Sequence, residues 1–525
     1  MSIEKRGDEG ILIAPGKVKL SELRYLQNST SAFLLGVQVR NAVNDCHARL
    51  NELVAMGGPI YGVNTGFGKL ANVRIGNEDL NVLQRNLILS HCTGFGTDLG
   101  DDVVRLVMIL KVIGLARGHS GVQWHIIQMI MDLIRYQIYP CIPSKGSVGA
   151  SGDLAPLAHL AAVLIGIGRA RQFGKVLPAI EALRIAGHSP VELGPKEGLA
   201  LINGTQVCTA LALTALFDAE NLFSAAVMAG ALSVEASFGS YVPFDDRIHT
   251  VRGHLGQVEV GAAFRKLFFG SSIGMAGQNR QRVQDPYSLR CQPQVMGAVL
   301  ESIRHSAAIF EVEANAVSDN PIIFPVTLEV LSGGNFHAEP VAIAADLLAI
   351  AIAEIGSISE RRIAFLVDTN MSGLPPFLAE NSGVRSGFMV AQITAAALAS
   401  ENKCLAHPSS VDSIPTAANQ EDHVSMATYG ARRLGEMIKN TSGIVAIELL
   451  AAAQGLDFRR PLKSSELLEA VHAKVRETAA HYSDDMQMSE TIEAVGLLVR
   501  GGAFNNNLPL QLPSLGRAIA LESRA

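Results

Sequence analysis

The sequence predicts a mainly α fold, a long-helix bundle joined to a loop-rich N-terminal domain, on three observations. The 525 residues are 48% hydrophobic yet only 5% aromatic. The cores must therefore be aliphatic, and Ala and Leu are strong helix formers. Long Ala/Leu/Ile-rich runs recur along the chain, and strand signals are few.

The helical runs are 81–92, 101–139, 154–169, 198–238, 294–316, 338–367, 388–402, 424–455 and 464–483. In 338–367 the apolar spacing follows three-to-four periodicity rather than alternation. The best strand candidates are 11–20 and 322–331. Between the helices lie loops rich in Gly, Asn, Pro and Gln: 57–76, 140–153, 270–293, 317–337, 370–387 and 403–423. They are long for a compact domain, and long ordered loops tend to be functional. A polar stretch at 169–197 separates an N-terminal domain, 1–197, from a helical domain, 198–525.

Composition narrows the partners. The net charge of -6 gives no electrostatic argument for nucleic acid or an anionic membrane. The N-terminus is charged and lacks the apolar core of a signal peptide. The most apolar windows, 154–168 and 340–358, are interrupted by His159 and by Asp346 and Glu354, so neither reads as a membrane span. The six cysteines are widely spaced without CxxC pairs, the pattern of reduced thiols in a cytoplasmic protein.

The polar loops carry the chemistry. In Gly146-Ser147-Val148-Gly149-Ala150-Ser151-Gly152-Asp153, the Gly152 amide can turn back onto the Ala150 carbonyl. Loss of water from that ring and from Ser151 leaves a methylene conjugated to a carbonyl, an electrophile that no ordinary side chain provides. The bland reading is a Gly-rich turn before a helix. Tyr61-Gly62-Val63-Asn64-Thr65-Gly66-Phe67-Gly68 lacks the Lys-Ser/Thr of a P-loop. It makes Tyr61 either a proton carrier or a packing residue. His91 is a contact for a polar ring or a capping residue. Asn203 is a ligand or a helix N-cap. Gln284, Tyr287 and Arg290 offer amide, phenol and guanidinium within seven residues, with Arg290 either a bidentate carboxylate clamp or half of a surface ion pair. Gly333-Gly334-Asn335-Phe336-His337 enters a helix, as does Asn419-Gln420-Glu421-Asp422-His423, whose carboxylates suit a helix N-terminus. His423 with Asp422 admits a metal reading, but no cluster has ligand spacing, so no metal is expected. Gly270-Ser271-Ser272-Ile273-Gly274 matches the serine-hydrolase elbow without its upstream strand.

Together and in this order, the motifs resemble the aromatic amino acid ammonia-lyases and aminomutases that carry a 4-methylidene-imidazol-5-one (MIO) group. The likeness runs from about residue 11 to residue 510. Four segments resemble the histidine-directed branch: Ser90-His91, 284–294 (QDPYSLRCQPQ), 333–340 (GGNFHAEP) and 418–426 (ANQEDHVSM). Cys92-Thr93, Phe95 and Arg385 depart from the family pattern.

The resemblance implies elimination of ammonia from L-histidine to give trans-urocanate. Ammonia-lyase or 2,3-aminomutase action on L-tyrosine or L-phenylalanine is the alternative. It implies an MIO formed from Ala150, Ser151 and Gly152, with no external cofactor. Tyr61 would be the general base, and Tyr287 would assist near the amine or the base. Arg290 would hold the carboxylate, Asn203 and Gln284 would bond around the MIO and the amine, and Phe336 would shield them. His91, Met389 and Glu421 would line the side-chain pocket, with Glu421 either binding the ring or transferring a proton. A homotetramer with shared sites is implied as well, because these groups lie more than 300 residues apart.

Overall fold

Glycines set where the predicted helices stop. The expected run 101–139 forms two helices, Asp101–Leu115 and Trp124–Arg135, because Gly118 and Gly121 between them hold φ of +71° and +73°, a backbone that side-chain-bearing residues resist. The run 198–238 is likewise divided, into Glu197–Ile202 and Gln206–Ala236. The computed structural model describes residues 11–276 and 283–516. The first ten residues, where no leader is expected, and residues 277–282 of the loop 270–293 fall outside the described residues.

The chain divides into two units. One takes in the chain up to Thr214, with Ala307–Asp346 and Pro408–Arg432; the other comprises Ala215–Ser306, Leu347–His407 and the chain from Arg433. In the first unit, the helices Leu80–His91, Asp101–Leu115, Trp124–Arg135 and Leu154–Leu164 supply most of the aliphatic core. Asp101 and Asp102 in the first turn of Asp101–Leu115 complement its dipole, and residues 103–115 are all buried. Small sheets edge this core. Ile11–Ile13 pairs in parallel with Phe33–Leu35, so the strand expected over 11–20 is cut short by the helix starting at Leu20. The strand expected over 322–331 is a hairpin, with Phe324 opposite Glu329. Ile138–Pro140, Arg169–Gln172 and Lys175–Pro178 form an antiparallel sheet.

The helices Leu20–Asn28, Val37–Ala55 and Ser489–Arg500 lie outside the expected helical runs. Val37–Ala55 buries only Val43, Cys46 and Leu50, an i, i+3, i+7 stripe on an otherwise wet helix.

The second unit holds much of the long helices Gln206–Ala236, Gln292–Ala314, Glu339–Val367 and Ala427–Asp457, together with Leu255–Phe268 and Met389–Leu405. Gln206–Ala236 and Glu339–Val367 are long and apolar enough to cross a membrane, but 89% and 67% of their apolar windows are buried within the protein. The elbow-like Ser272 follows the helix Leu255–Phe268, not a strand, and its hydroxyl donates to the Lys463 carbonyl at 2.8 Å.

A buried ion pair ties this unit together. Glu448 accepts from Arg362 Nε at 2.5 Å and Nη2 at 2.7 Å, and from the hydroxyls of Ser233 and Ser359. Both charged side chains are fully buried. Removing one partner strands the other charge, which typically costs about 3–5 kcal/mol. Glu448→Ala should therefore lower unfolding stability by about that amount in denaturant titration, and Glu448→Gln by less.

Candidate active site

The turn at residues 146–153 is clamped from two sides. Asp153, fully buried, accepts from the Val207 and Cys208 amides at 3.0 and 2.8 Å through one oxygen. Its other oxygen accepts from Ser147 at 2.9 Å and Thr428 at 2.6 Å. Four donors satisfy a carboxylate that burial would otherwise penalise. Asp153 N donates to Gly204 O at 2.8 Å. On the other side, Ser425 Oγ donates to Gly149 O at 2.9 Å and Met426 N to Val148 O at 2.8 Å. Gly152 holds φ +72°, and a Cβ there would collide with the Gly204 backbone, so no other residue fits without displacing it.

Ala150 and Ser151 line a cavity of about 1460 Å³ formed by residues of the first unit. Tyr61, His91, Asn203, Phe336 and Glu421 line it too. Six separated stretches of sequence thus meet at one hollow.

Glu421 is held through both carboxylate oxygens. Ser151 Oγ donates to Glu421 Oε1 at 2.5 Å, and Thr416 Oγ1 donates to Oε2 at 2.6 Å. Paired backbone bonds between Thr416 and Glu421 fix that carboxylate further. Asn203 Nδ2 donates to the Ser151 carbonyl at 2.9 Å, while Asn203 Oδ1 is buried with no protein partner. Asn203 follows the short helix Glu197–Ile202 as its C-cap, where the sequence reading made it an N-cap or a ligand. The Tyr61 phenol oxygen, Oη, accepts from Gly68 N at 3.2 Å, bending the loop 61–68 back on itself. His91 Nδ1 lies 2.7 Å from Leu87 O. That oxygen only accepts, so Nδ1 carries a proton and Nε2 is the ring nitrogen left to face a ligand.

Gln284, Tyr287, Arg290 and Met389 belong to the second unit and are not among the residues lining the cavity. Tyr287 is 71% exposed, with the Arg290 guanidinium stacked over its ring at 4.6 Å, and Arg290 Nε is buried without a partner. The unexpected Arg385 pairs with Asp484 at 2.5 Å. His337, Glu339 and His423 also line the cavity and group their ligand atoms within 4.8 Å. Their two imidazoles lie nearly parallel, at 9°, and His337 Nε2 is 3.1 Å from the His423 carbonyl.

Sequence reasoning missed Lys111. Its ammonium, buried in Asp101–Leu115, donates to Asn203 O at 2.9 Å and Gln206 Oε1 at 3.3 Å. The signal was present as a single lysine in the apolar stretch Val107–Leu115. Burial pushes its pKa down to about 7, against the opposing pull of Asp319. Between about 7 and the ordinary 10.5, the unfolded chain holds a proton that the folded chain has lost. Stability from this group therefore rises with pH across that window. Unfolding of Lys111→Met across that range should show a flatter pH dependence than the parent chain; superimposable profiles would refute the assignment.

The chain matches the aromatic amino acid lyase family over residues 19–477. It is 55% identical over 503 residues to the histidine ammonia-lyase of Vibrio cholerae serotype O1, covering 96% of this chain and 98% of that one. It is 54% identical over 508 residues to that of Desulfotalea psychrophila, covering 97% and 99%. The crystal structure of histidine ammonia-lyase from Trypanosoma cruzi superimposes with a TM-score of 0.88 at 37% identity, over 98% of this chain and 100% of that chain. A tyrosine aminomutase from Streptomyces globisporus gives 0.90 at 32%, over 95% and 99%. The mainly helical fold is theirs, and a carbon–nitrogen lyase chemistry comes with it: the chain belongs to the aromatic amino acid lyase family.

Proposed function

We infer that this protein eliminates ammonia from L-histidine to give trans-urocanate. The observation that carries the reading is the opening of the Ala150–Ser151 turn onto the cavity that also holds Tyr61, His91 and Glu421, in a chain 55% identical to a histidine ammonia-lyase over nearly its full length.

The family uses an MIO group made from its own chain, without an external cofactor. The residues here fit that group. The turn is pressed so closely on Gly204 that a Cβ at Gly152 finds no room, and the buried Asn203 Oδ1 has no protein partner, leaving it free to bond a ring beside Ser151. When formed, the MIO supplies an electrophile for the substrate amine, which ordinary side chains cannot do. Tyr61 takes the β-proton as general base. His91 Nε2 and Glu421 bind opposite edges of the imidazole, one accepting its N–H and the other contacting its second nitrogen. Phe336 keeps water from the reacting face. Lys111 holds the Asn203 backbone so that its amide stays on the Ser151 carbonyl.

Gln284 bonds the amine, Tyr287 assists the base, Arg290 clamps the substrate carboxylate, and Met389 borders the side-chain pocket. Their place outside the cavity lining of one chain supports a homotetramer whose neighbouring copies complete each site. The N-terminal domain 1–197 carries the MIO turn, and 198–525 supplies the bundle and further site loops. Free cysteines throughout support a cytoplasmic location.

Incubation with L-histidine should release ammonia and an ultraviolet-absorbing product in equal amounts. Faster turnover of L-tyrosine or L-phenylalanine would displace histidine as substrate. A β-amino acid with little free ammonia would favour the aminomutase reading that the Streptomyces likeness raises. Tyr61→Phe should lower kcat by about 10²–10⁴-fold. Co-expressing Tyr61→Phe with Arg290→Ala chains should recover activity that neither has alone, since a mixed tetramer rebuilds some intact sites; no recovery would argue for sites made from one chain.

A further inference from the structure

We propose that Glu421 is a catalytic residue in building the electrophile, acting on Ser151 before any substrate arrives. The inference rests on the MIO reading above. The geometry behind it is the contact between Glu421 Oε1 and the Ser151 hydroxyl at 2.5 Å. That hydroxyl is the group that must leave, and a carboxyl bonded to a leaving oxygen is placed to act as its general acid.

The chemistry balances in two dehydrations. In the first, Gly152 N bonds to the Ala150 carbonyl carbon; the carbonyl oxygen departs as water with the Gly152 and Ser151 amide protons, and a C=N bond forms between that carbon and Ser151 N. In the second, the Ser151 Cα–H and Cβ–Oγ bonds break and Cα=Cβ forms. The C–H electron pair becomes the new double bond, and the Cβ–O pair leaves with Oγ. Glu421 in its acid form gives its proton to Oγ, so the hydroxyl departs as water. The resulting carboxylate takes the proton from Cα and is restored. No oxidant or external reactant is consumed.

Four further contacts suit this role. Asn203 Nδ2 donates to the Ser151 carbonyl at 2.9 Å, the oxygen on which negative charge collects as the Cα–H bond breaks, which makes that proton easier to remove. Thr416 Oγ1 donates to Glu421 Oε2 at 2.6 Å and leaves Oε1 aimed at Ser151. The backbone bonds Thr416 N to Glu421 O, 2.9 Å, and Glu421 N to Thr416 O, 3.3 Å, hold the carboxyl in place before any substrate can order it.

Intact mass of the full-length protein separates construction from turnover. The parent chain should be lighter than its translated sequence by two waters. Glu421→Gln keeps the shape and the reach but cannot relay a proton. It should retain the second water, losing it about a hundredfold or more slowly on incubation, and Glu421→Asp should lie between. Glu421→Gln purified with both waters already lost, at the parental rate, overturns the proposal. Should that variant fail to fold by circular dichroism, Thr416→Val decides: slower loss of the second water supports Glu421, and the parental rate overturns it. A parent chain that has lost no water defeats the MIO reading itself, a result distinguishable from failure at Glu421 alone.

Discussion

Everything distinctive in this protein hangs on one buried carboxylate. Asp153 gathers two backbone amides and two hydroxyls from chain segments far apart in sequence. An uncompensated charge at that depth would be expensive. The carboxylate therefore demands its donors, and in holding them it presses the turn 146–152 against Asn203–Gly204 on one flank while Ser425 and Met426 grip the other. A Gly-rich segment that would otherwise sample many conformations is confined to one, with the entropy of ordering it offset by bonds made in a dry environment.

From that clamp a polar chain runs through an apolar interior. Lys111 bonds the Asn203 carbonyl, Asn203 bonds the Ser151 carbonyl, Ser151 bonds Glu421, and Glu421 is held by Thr416. Each member is oriented by its neighbour, and little reorganisation is left when charge moves along it. Buried polar groups of this kind are costly when unpaired, and Asn203 Oδ1 and Arg290 Nε are among the buried atoms of the described residues that have no protein partner. Both belong to residues with proposed contacts to a group or substrate.

Much of the fold was legible in the sequence because aliphatic runs identify buried helices directly. Runs of Ala, Leu and Ile became Gln206–Ala236, Glu339–Val367 and Ala427–Asp457. The amphipathic Val37–Ala55 was not legible that way, since three buried side chains in nineteen residues leave mean composition polar. Nor was the break at Gly118–Gly121 weighted enough against the length of the run 101–139. At the site, Tyr61, Ser151, Phe336 and Glu421 stood out in long loops, and His91 and Asn203 as polar residues near the ends of helical runs. Lys111 did not, because a lone lysine in an apolar helix is recognisable as functional only when its partner is known.

The sequence by itself determined the helical class, the locations of the reactive loops and the Ala150-Ser151-Gly152 turn, all of which depend on local composition and order. Tertiary structure decided which loops share a cavity, which oxygen of Glu421 meets Ser151, and that Gln284, Tyr287, Arg290 and Met389 fall outside that lining. Those outcomes rest on hydrogen bonds between residues far apart in sequence, such as Thr428 to Asp153, 275 positions away. Local propensity carries no information about pairings at such a distance; only the closing of the packed chain selects them.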